Sequence, residues 1–574
     1  MLTGAHHWQI ADPVPDRYVA SLPDLNPLVA QVLFNRGLTE PDEAARFLDG
    51  RLELDDPFQL LDMDRAVKRL RRAIQEEEPL AIYGDFDADG VAATALLVLT
   101  LRALGGRVHP YIPHRVDEGY GLNGEALTEL AGQGVRVVVT VDCGIRSPDE
   151  VAHARRLGMD VIITDHHTVG SCVPQAGAVV NPRQPNCAYP CKHLAGVGLA
   201  YKLAQALLRT NQQVPLSQEV GLREEDLLDL VALGTVADLA PLIGENRSLV
   251  RRGLERLNDA PRLGIEELMR QARAHRGKVD ATTIGYVLGP RINAAGRMAH
   301  AKIAYQLLVA DYPEEAKRLA QRLDALNKDR RRLTAEVLKE ARQMALAEGT
   351  EGPLLLIAGS DFPAGIVGLV AGRLMEEFYR PAVVVEQGSE WSKGSARSIP
   401  EFHITRALEA CSDLLLRYGG HRAAAGFTVR TEYLPELKAR LRGLAARELE
   451  GRELVPVLNV DASVPLREMT WELWEGLRAL RPFGQENPEP VFVSQDVQVR
   501  HYRAVGADHA HLKLFLSDGR AVWDGIAFRQ GEWVDRLPER IDIAYHLQLN
   551  EWKGEKRLQL NVQDIRPSGC EGEV

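Results

Sequence analysis

No stretch of this sequence approaches the roughly twenty consecutive apolar residues that a membrane-crossing helix requires, so no span is expected. The opening residues, "MLTGAHHWQIADPVPDRY", have neither the basic start nor the apolar stretch of a signal peptide. Cysteine is scarce. Six scattered over 574 residues argue against a disulfide framework and make a reducing cytoplasm the expected compartment. Positive charge is in deficit too: 69 Lys and Arg against 80 Asp and Glu give a formal charge of −11. The net charge therefore carries no sign of a nucleic-acid partner, although a local basic groove needs no net excess. Low-complexity tracts and internal repeats are also missing.

What is present is an ordinary globular composition in a chain too long for one core, so three or four domains are expected. From about Pro79, short apolar runs alternate with amphipathic stretches. "PLAIYGD" precedes "GVAATALLVLTLRALG", "VRVVVTVDCG" precedes "SPDEVAHARRLG", and "MDVIITDHH" follows. This pattern predicts a largely parallel sheet with helices on its faces. Residues 1–75 read as mainly helical and are expected to pack on that domain, which spans residues 76–310. Residues 311–348 read as one long helix, with Asp311 as a cap and Pro313 in its first turn. It is expected to connect domains rather than to join either core. Its "KDRRR" is expected to be a solvated face, with the wall of a nucleic-acid groove as the sharper alternative. Residues 349–450 read as a second, smaller α/β domain. Its strands are placed at "GPLLLIAGSDF", "PAVVVE" and "AAAGFTVR", its helices at "GIVGLVAGRLMEEFY" and "HITRALEACSDLLLRY". Residues 451–574 carry short alternating strands that suggest a small barrel or sandwich. The fold class is α/β: a parallel-sheet domain joined by a long helix to a smaller α/β domain, followed by a β-barrel.

Chemistry concentrates where the first domain's predicted strands end. "GDFDADG" sets Asp85, Asp87 and Asp89 at alternate positions, able to converge. Convergent carboxylates raise one another's pKa, and divalent cations remove that penalty. An EF-hand loop is not supported, because no glutamate stands at its closing position. "VDCGI" places Asp142 at the end of a Val-rich strand, where a helix cap is the plainer explanation. "TDHHTVG" offers Asp165, His166 and His167. Adjacent histidines point in different directions, so one can meet a metal while the other faces substrate, and the aspartate can fix a ring tautomer. "GTVADLAPL" places Asp238 in or after an apolar helix. One such motif is unremarkable, whereas four at matching edges argue for a cluster. An oxygen-rich set with one or two imidazoles favours Mn²⁺ or Mg²⁺ over structural zinc. Two such ions about 3.5–4 Å apart would activate water for in-line attack on a phosphate. "CAYPCKH" gives Cys187, Cys191 and His193 a loosely zinc-like spacing, but no second pair of cysteines lies nearby.

Taken in this order, "GDFDADG", "VDCG", "DHH" and "GTVADLAPL" resemble the motifs of the DHH phosphoesterase superfamily, and "GGHRAAAGF" resembles the motif of its associated DHHA1 domain. "RINAAGRM", "SARSIP" and "LRPFGQENPEPVF" narrow the resemblance to the RecJ family of bacterial single-strand-specific 5′→3′ DNA exonucleases. The resemblance covers nearly the whole chain. It implies a DHH catalytic domain, a DHHA1 substrate-binding domain and an OB-fold that binds single strands. It also implies two divalent ions, Mn²⁺ or Mg²⁺, held by Asp87, Asp89, Asp142, His166 and Asp238, with Asp142 bridging. Asp85 and His167 would touch an ion or its ligands, and His167 the scissile phosphate. Tyr83 stands where many relatives place a histidine ligand, so Asp85 or water would fill that position.

For substrate, the resemblance implies Ser395 and Arg397 at the 5′-terminal phosphate, and Gly419, Gly420 and His421 at a phosphate. Arg115 and Tyr120 would contact phosphate and base, and Arg291 the strand backbone. In the barrel, His501, Tyr502, Arg503, Lys513, Phe528 and Trp552 are candidates for strand contact. The activity implied is stepwise release of 5′-mononucleotides from single-stranded DNA with a free 5′ end, in recombination and repair. Single-strand-binding protein and a helicase are plausible partners, and a monomer is expected. The alternatives are a phosphodiesterase for short oligoribonucleotides or cyclic dinucleotides, and a non-catalytic strand-binding scaffold.

Overall fold

The structure is a computed structural model that describes residues 6–50, 54–216, 220–552 and 554–569. A short first strand, β1 (His7–Ile10), precedes the first domain. That domain's sheet contains β2 (Leu80–Tyr83), β3 (Val108–Tyr111), β4 (Val137–Val141), β5 (Asp160–Thr164) and β6 (Ala178–Val180). All are parallel, in the order β3-β2-β4-β5-β6. β2 and β4 are buried at every residue, because both sheet faces are covered. Ile82, Val137 and Val139 pack with the helices Ala88–Ala103 and Gly196–Gln213, while Ala81, Tyr83 and Val138 pack with Leu127 and Val151 on the other face. The chain leaves β2 for β3 on one side and returns to β4 on the other. At such a reversal the loops leaving the strands' carboxyl ends part and open a crevice.

The second domain holds β7 (Leu355–Gly359), β8 (Ala382–Glu386), β9 (Trp391–Arg397), β10 (Leu415–Gly420) and β11 (Ala424–Arg430), ordered β10-β11-β9-β8-β7. "LLLRY", expected to end a helix, instead forms most of β10, because its backbone pairs with β11. The last domain contains β12 (Val457–Val460), β13 (Ala462–Ser463), β14 (Phe492–Val505), β15 (His511–Ser517), β16 (Val522–Ala527), β17 (Arg540–Trp552) and β18 (Glu555–Pro567). β14-β15-β16-β18-β17 run in sequence, and β17 returns to β14 to close a five-stranded barrel. Closure leaves those strands no open edge.

Two expectations are corrected. The described residues 6–50 take their apolar core from the barrel, and they meet the first domain through Arg251, which donates to the Leu48 and Asp49 carbonyls at 3.3 and 3.2 Å. β1 pairs in parallel with β12, and the Trp8 indole donates to the buried Asp564 carboxylate at 2.8 Å. The helix Pro27–Asn35 buries five consecutive residues, Val29 to Leu33, and so needs cover on several sides. It finds that cover beside Gly476, where an added Cβ would lie 2.7 Å from Val29, and in a core shared with Leu473, Leu477 and the barrel interior. The helix Met63–Gln75, with Leu60 and Leu54 before it, joins the first sheet's core.

The long helix, Pro313–Glu348, is the second correction. Its N-cap is Tyr312 rather than Asp311. Its first half buries Ala316, Leu319, Leu323 and Leu326 in the first core, and its second half buries Val337, Ala341 and Ala345 in the second. At 36 residues it is about 54 Å long. It is thus a strut embedded in both domains.

The barrel domain docks on the first domain through "RPFGQENP". The buried Arg247 guanidinium donates to the carbonyls of Arg481 (2.6 Å) and Ala479 (3.0 Å), and the Leu242 amide donates to the Gln485 carbonyl (2.8 Å).

Candidate active site

The acidic motifs meet at the crevice between β2 and β4. Asp87 caps the helix Ala88–Ala103, its Oδ1 accepting from the amides of Asp89 (2.9 Å) and Gly90 (3.1 Å). Asp89 accepts from the amides of Gly196 (2.7 Å) and Val197 (3.0 Å), at the start of the next core helix. The approach is close enough to demand glycine. A Cβ at Gly196 would sit 2.6 Å from that of Asp142, and one at Gly234 would sit 2.6 Å from Asp89 Oδ1. Asp142 follows β4 directly, and Asp238 caps the carboxyl end of the helix Leu228–Ala237. His166 follows β5, with Nε2 3.1 Å from Asp142 Oδ1 and 3.9 Å from Asp238 Oδ2.

Three groups of donor atoms lie within 4.8 Å of one another: Asp85, Asp87 and Asp142; Asp142, His166 and His167; and Asp89, His166 and Asp238. Asp142 belongs to two of them. Burial raises the pKa of Asp85, Asp142 and Asp238 well above the ordinary carboxylate value, and neighbouring aspartates add to it. Asp89 is pushed up to about 7 by burial and then by Asp87. His166 is driven down to about 3 by burial and by His167, so its ring is neutral. Asp85 Oδ1, Asp142 Oδ1 and His166 Nε2 are buried without a hydrogen-bond partner. Buried ligand atoms thus converge with no hydrogen bond to satisfy them. A divalent cation relieves that arrangement, and an oxygen-rich set with imidazole suits Mn²⁺ or Mg²⁺.

His167 is held differently. Its Nδ1 lies 2.7 Å from Asp165 Oδ1, and Asp165 also accepts from the Ile145 amide at 2.9 Å. Asp165 therefore orients His167, not His166. Burial alone would lower the pKa of His167, but the Asp165 hydrogen bond and charge outweigh it and raise the value. The Tyr120 hydroxyl lies 3.0 Å from His167 Nδ1 and donates to the Asp142 carbonyl at 3.1 Å. His421, at the β10–β11 turn beside Gly419 and Gly420, stacks on His167 with ring centres 5.9 Å apart and planes 9° from parallel. Tyr83 is buried against Tyr111 and donates to the Gly121 carbonyl, so it takes no part in the cluster.

Arginines gather next to the carboxylates. The Arg115 guanidinium lies 4.5 Å over the Phe86 ring. Arg397 donates to Ser395 Oγ (3.3 Å) and to the Ala396 carbonyl (2.8 Å). Arg297 donates to the Gly365 carbonyl at 3.1 Å, and its pKa falls to about 9 through burial and then through the charges of Arg115, Arg397 and Arg330. Cations packed this closely form a receptor for an anion. Arg297 and Arg183, the latter near enough to lower the pKa of Asp238, are not among the sequence candidates, and Arg330 enters them through "KDRRR" as the wall of a groove. The second arginine of "RINAAGRM" was the available signal for Arg297.

In "KDRRR" Lys328, Asp329, Arg331 and Arg332 are exposed, as a solvated face requires, while Arg330 is half-buried, with its pKa lowered by burial and by Arg331 and Arg291. Arg291 is spoken for, since its guanidinium pairs with Asp324 of the long helix at 3.0 Å and donates to the Val287 carbonyl.

Other candidates stand apart. Cys187, Cys191 and His193 form no metal-holding group among the described residues. On the barrel, Phe528 is 54% exposed and Tyr502 36%, while His501 lies against Phe515. Lys513 is paired with Asp524, and Arg503 lies opposite Lys513 across β14 and β15. The Trp552 side chain lies outside the described residues.

Three family models match successive stretches of the chain. A model of the DHH family, N-terminal domain, matches residues 79–235, and a model of the DHHA1 domain matches residues 351–447. With the parallel sheet and its carboxylate cluster, these matches define a DHH–DHHA1 protein. A model of the RecJ OB domain matches residues 460–564. The single-stranded-DNA-specific exonuclease RecJ of Bacillus subtilis (strain 168) is 38% identical over 576 residues, covering 99% of this chain and 72% of that protein. The crystal structure of RecJ from Thermus thermophilus in complex with Mn²⁺ matches with a TM-score of 0.84 at 31% identity, covering 99% of this chain and 81% of that one. The structure of the same protein in complex with Mg²⁺ matches with a TM-score of 0.79 at 29% identity, covering 98% and 79%. This chain belongs to the RecJ family.

Proposed function

We propose that the chain is an exonuclease specific for single-stranded DNA, which hydrolyses phosphodiester bonds from the 5′ end and releases 5′-mononucleotides. The observation that carries this reading is a buried set of carboxylates and imidazole with unpartnered donor atoms, lying beside a cluster of guanidinium groups. In this reading Asp85, Asp87, Asp89, Asp142, His166 and Asp238 hold two divalent ions, Mn²⁺ or Mg²⁺. Asp142 and His166 each belong to two of the donor groups, and Asp142 would be the carboxylate shared between the ions. Such ions, when bound, make water a nucleophile at neutral pH and offset charge developing on the phosphate.

The chain's own residues bind and orient the strand. Asp165 locks the His167 ring through Nδ1, so Nε2 is free to meet a phosphate oxygen, and the raised pKa favours the cation that binds it. Ser395, Arg397 and Arg115 receive the 5′-terminal phosphate. Gly419 and Gly420 let backbone approach the strand beside His421. Tyr120 offers a face for a base. Arg297 and Arg330, rather than the already paired Arg291, supply further cationic contact. The barrel holds the departing strand through exposed aromatics such as Phe528 and Tyr502.

One chain carries every residue of this site, which supports action as a monomer. The five described cysteines are free, which supports a reducing cytoplasm, and no helix among the described residues is long and apolar enough to cross a membrane. Strand unwound by a helicase or covered by single-strand-binding protein is the form in which such an enzyme would meet its substrate during recombination and repair. An activity series over oligonucleotide length tests the assignment. Turnover should be sustained on long single strands, and activity confined to dinucleotides would replace the reading with a short-oligonucleotide phosphodiesterase.

A further inference from the structure

Arg115 and Tyr120 sit on one loop, between β3 and the helix Gly124–Gly132. That loop contains Gly119 and Gly121, both at positive φ, and only a few of its residues are buried. Its shape must therefore come from specific bonds. Glu118 supplies most of them. One carboxylate oxygen accepts from the His114 amide at 2.6 Å, and the other accepts from the Tyr111 hydroxyl at 2.6 Å. The amides of Glu118 and Gly119 both donate to the His114 carbonyl, at 2.9 and 3.2 Å. Residues 114–119 are thereby closed into a tight turn that presents Arg115.

A second brace comes from the other domain. Lys393 Nζ donates to the carbonyl of Val116, the residue after Arg115, at 3.0 Å. Lys393 stands on β9 two residues before Ser395 and four before Arg397. Alternate residues of a strand share a face, and the burial along β9 alternates accordingly. One strand face thus carries both the tie to the loop and the pair that meets the terminal phosphate.

We propose that Glu118 and Lys393 are positioning residues for the strand terminus. Glu118 shapes the loop, Lys393 ties it to β9, and together they set Arg115 at a fixed distance from Ser395 and Arg397, so that the enzyme distinguishes a 5′-phosphate from a 5′-hydroxyl. The inference rests on the terminal-phosphate reading of those three residues.

The test uses the full chain with Mn²⁺ and a single-stranded oligonucleotide labelled at its 3′ end, carrying either a 5′-phosphate or a 5′-hydroxyl. The quantity read is the ratio of the two kcat/KM values. Wild type should favour the phosphate. Glu118→Ala and Lys393→Met should each lower the ratio about tenfold, through KM for the phosphorylated strand. The 5′-hydroxyl strand should still be turned over at the wild-type rate, which shows that the variant has folded.

Glu118→Gln should restore the ratio, because its amide oxygen can accept from the His114 amide while its N–H donates to the Tyr111 oxygen. Lys393→Arg should also restore it. If only charge mattered, Glu118→Ala and Glu118→Gln would shift the ratio alike, and that result would overturn the proposal. A wild type without end preference would overturn the terminal-phosphate reading itself. A wild type with preference, beside Glu118→Ala and Lys393→Met variants that keep it, would overturn the positioning role alone.

Discussion

Withdrawing divalent metal should invert the way stability depends on pH. Asp89 is buried beside other aspartates, and its pKa is lifted from an ordinary 3.8 to about 7. In metal-free protein the folded state therefore keeps this proton between about pH 4 and pH 7, while the unfolded chain releases it. The folded state binds more protons, so stability falls as pH rises through that window. For Asp89 alone the loss across that window is on the order of 4 kcal/mol. Asp85, Asp142 and Asp238 are raised for the same reasons and act in the same direction. His166, driven down to about 3, opposes them below about pH 6.5, so the fall is clearest toward the alkaline end. Bound metal reverses the sign, because the carboxylates then ionise more readily folded than unfolded. The assay is the urea midpoint with a chelator and with Mn²⁺, at the acid and alkaline ends of the window. Chelated protein should be weaker at the alkaline end, metal-loaded protein stronger there, and Asp89→Asn should flatten the chelated slope. Chelated protein with a flat or rising dependence would refute the reasoning.

Asp142→Ala should abolish hydrolysis while leaving strand binding measurable by fluorescence anisotropy near the wild-type value. Arg397→Met should raise KM for a 5′-phosphorylated strand about tenfold with little change in kcat, as expected for loss of a charge-assisted contact made before the chemical step. Leu33 is fully buried in the core shared by the first helices and the barrel. Leu33→Ala should therefore cost about 2–5 kcal/mol, read as an earlier urea transition of the barrel, with Mn²⁺ affinity at the distant cluster unchanged.

The parallel sheet could be read in the sequence because its strands are buried on both faces, and continuous runs such as "VRVVVTV" carry that signature unaided. The carboxylate cluster was legible for a related reason, since three of its motifs follow strands of one sheet and parallel strands bring their ends together, while Asp238 arrives at the end of a helix. Where the first helices would pack could not be read. An apolar pattern shows that Val29 to Leu33 are buried, but not which core receives them. The long helix posed the same problem, because its two buried stripes belong to different domains. "LLLRY" is equally compatible with helix and strand until β11 supplies its partner. Arg291 and Arg297 look alike in "RINAAGRM", and only Asp324, brought in by the long helix, separates a paired guanidinium from one among other cations.

The central claim is most directly tested by digesting a single-stranded oligonucleotide, labelled separately at each end, with and without Mn²⁺ and beside its duplex. Labelled mononucleotide should be released from the 5′ end only with metal present, with the 3′ label retained on shortening strands and the duplex spared. Tight strand binding without cleavage in either metal condition, or mononucleotide released first from the 3′ label, would contradict it.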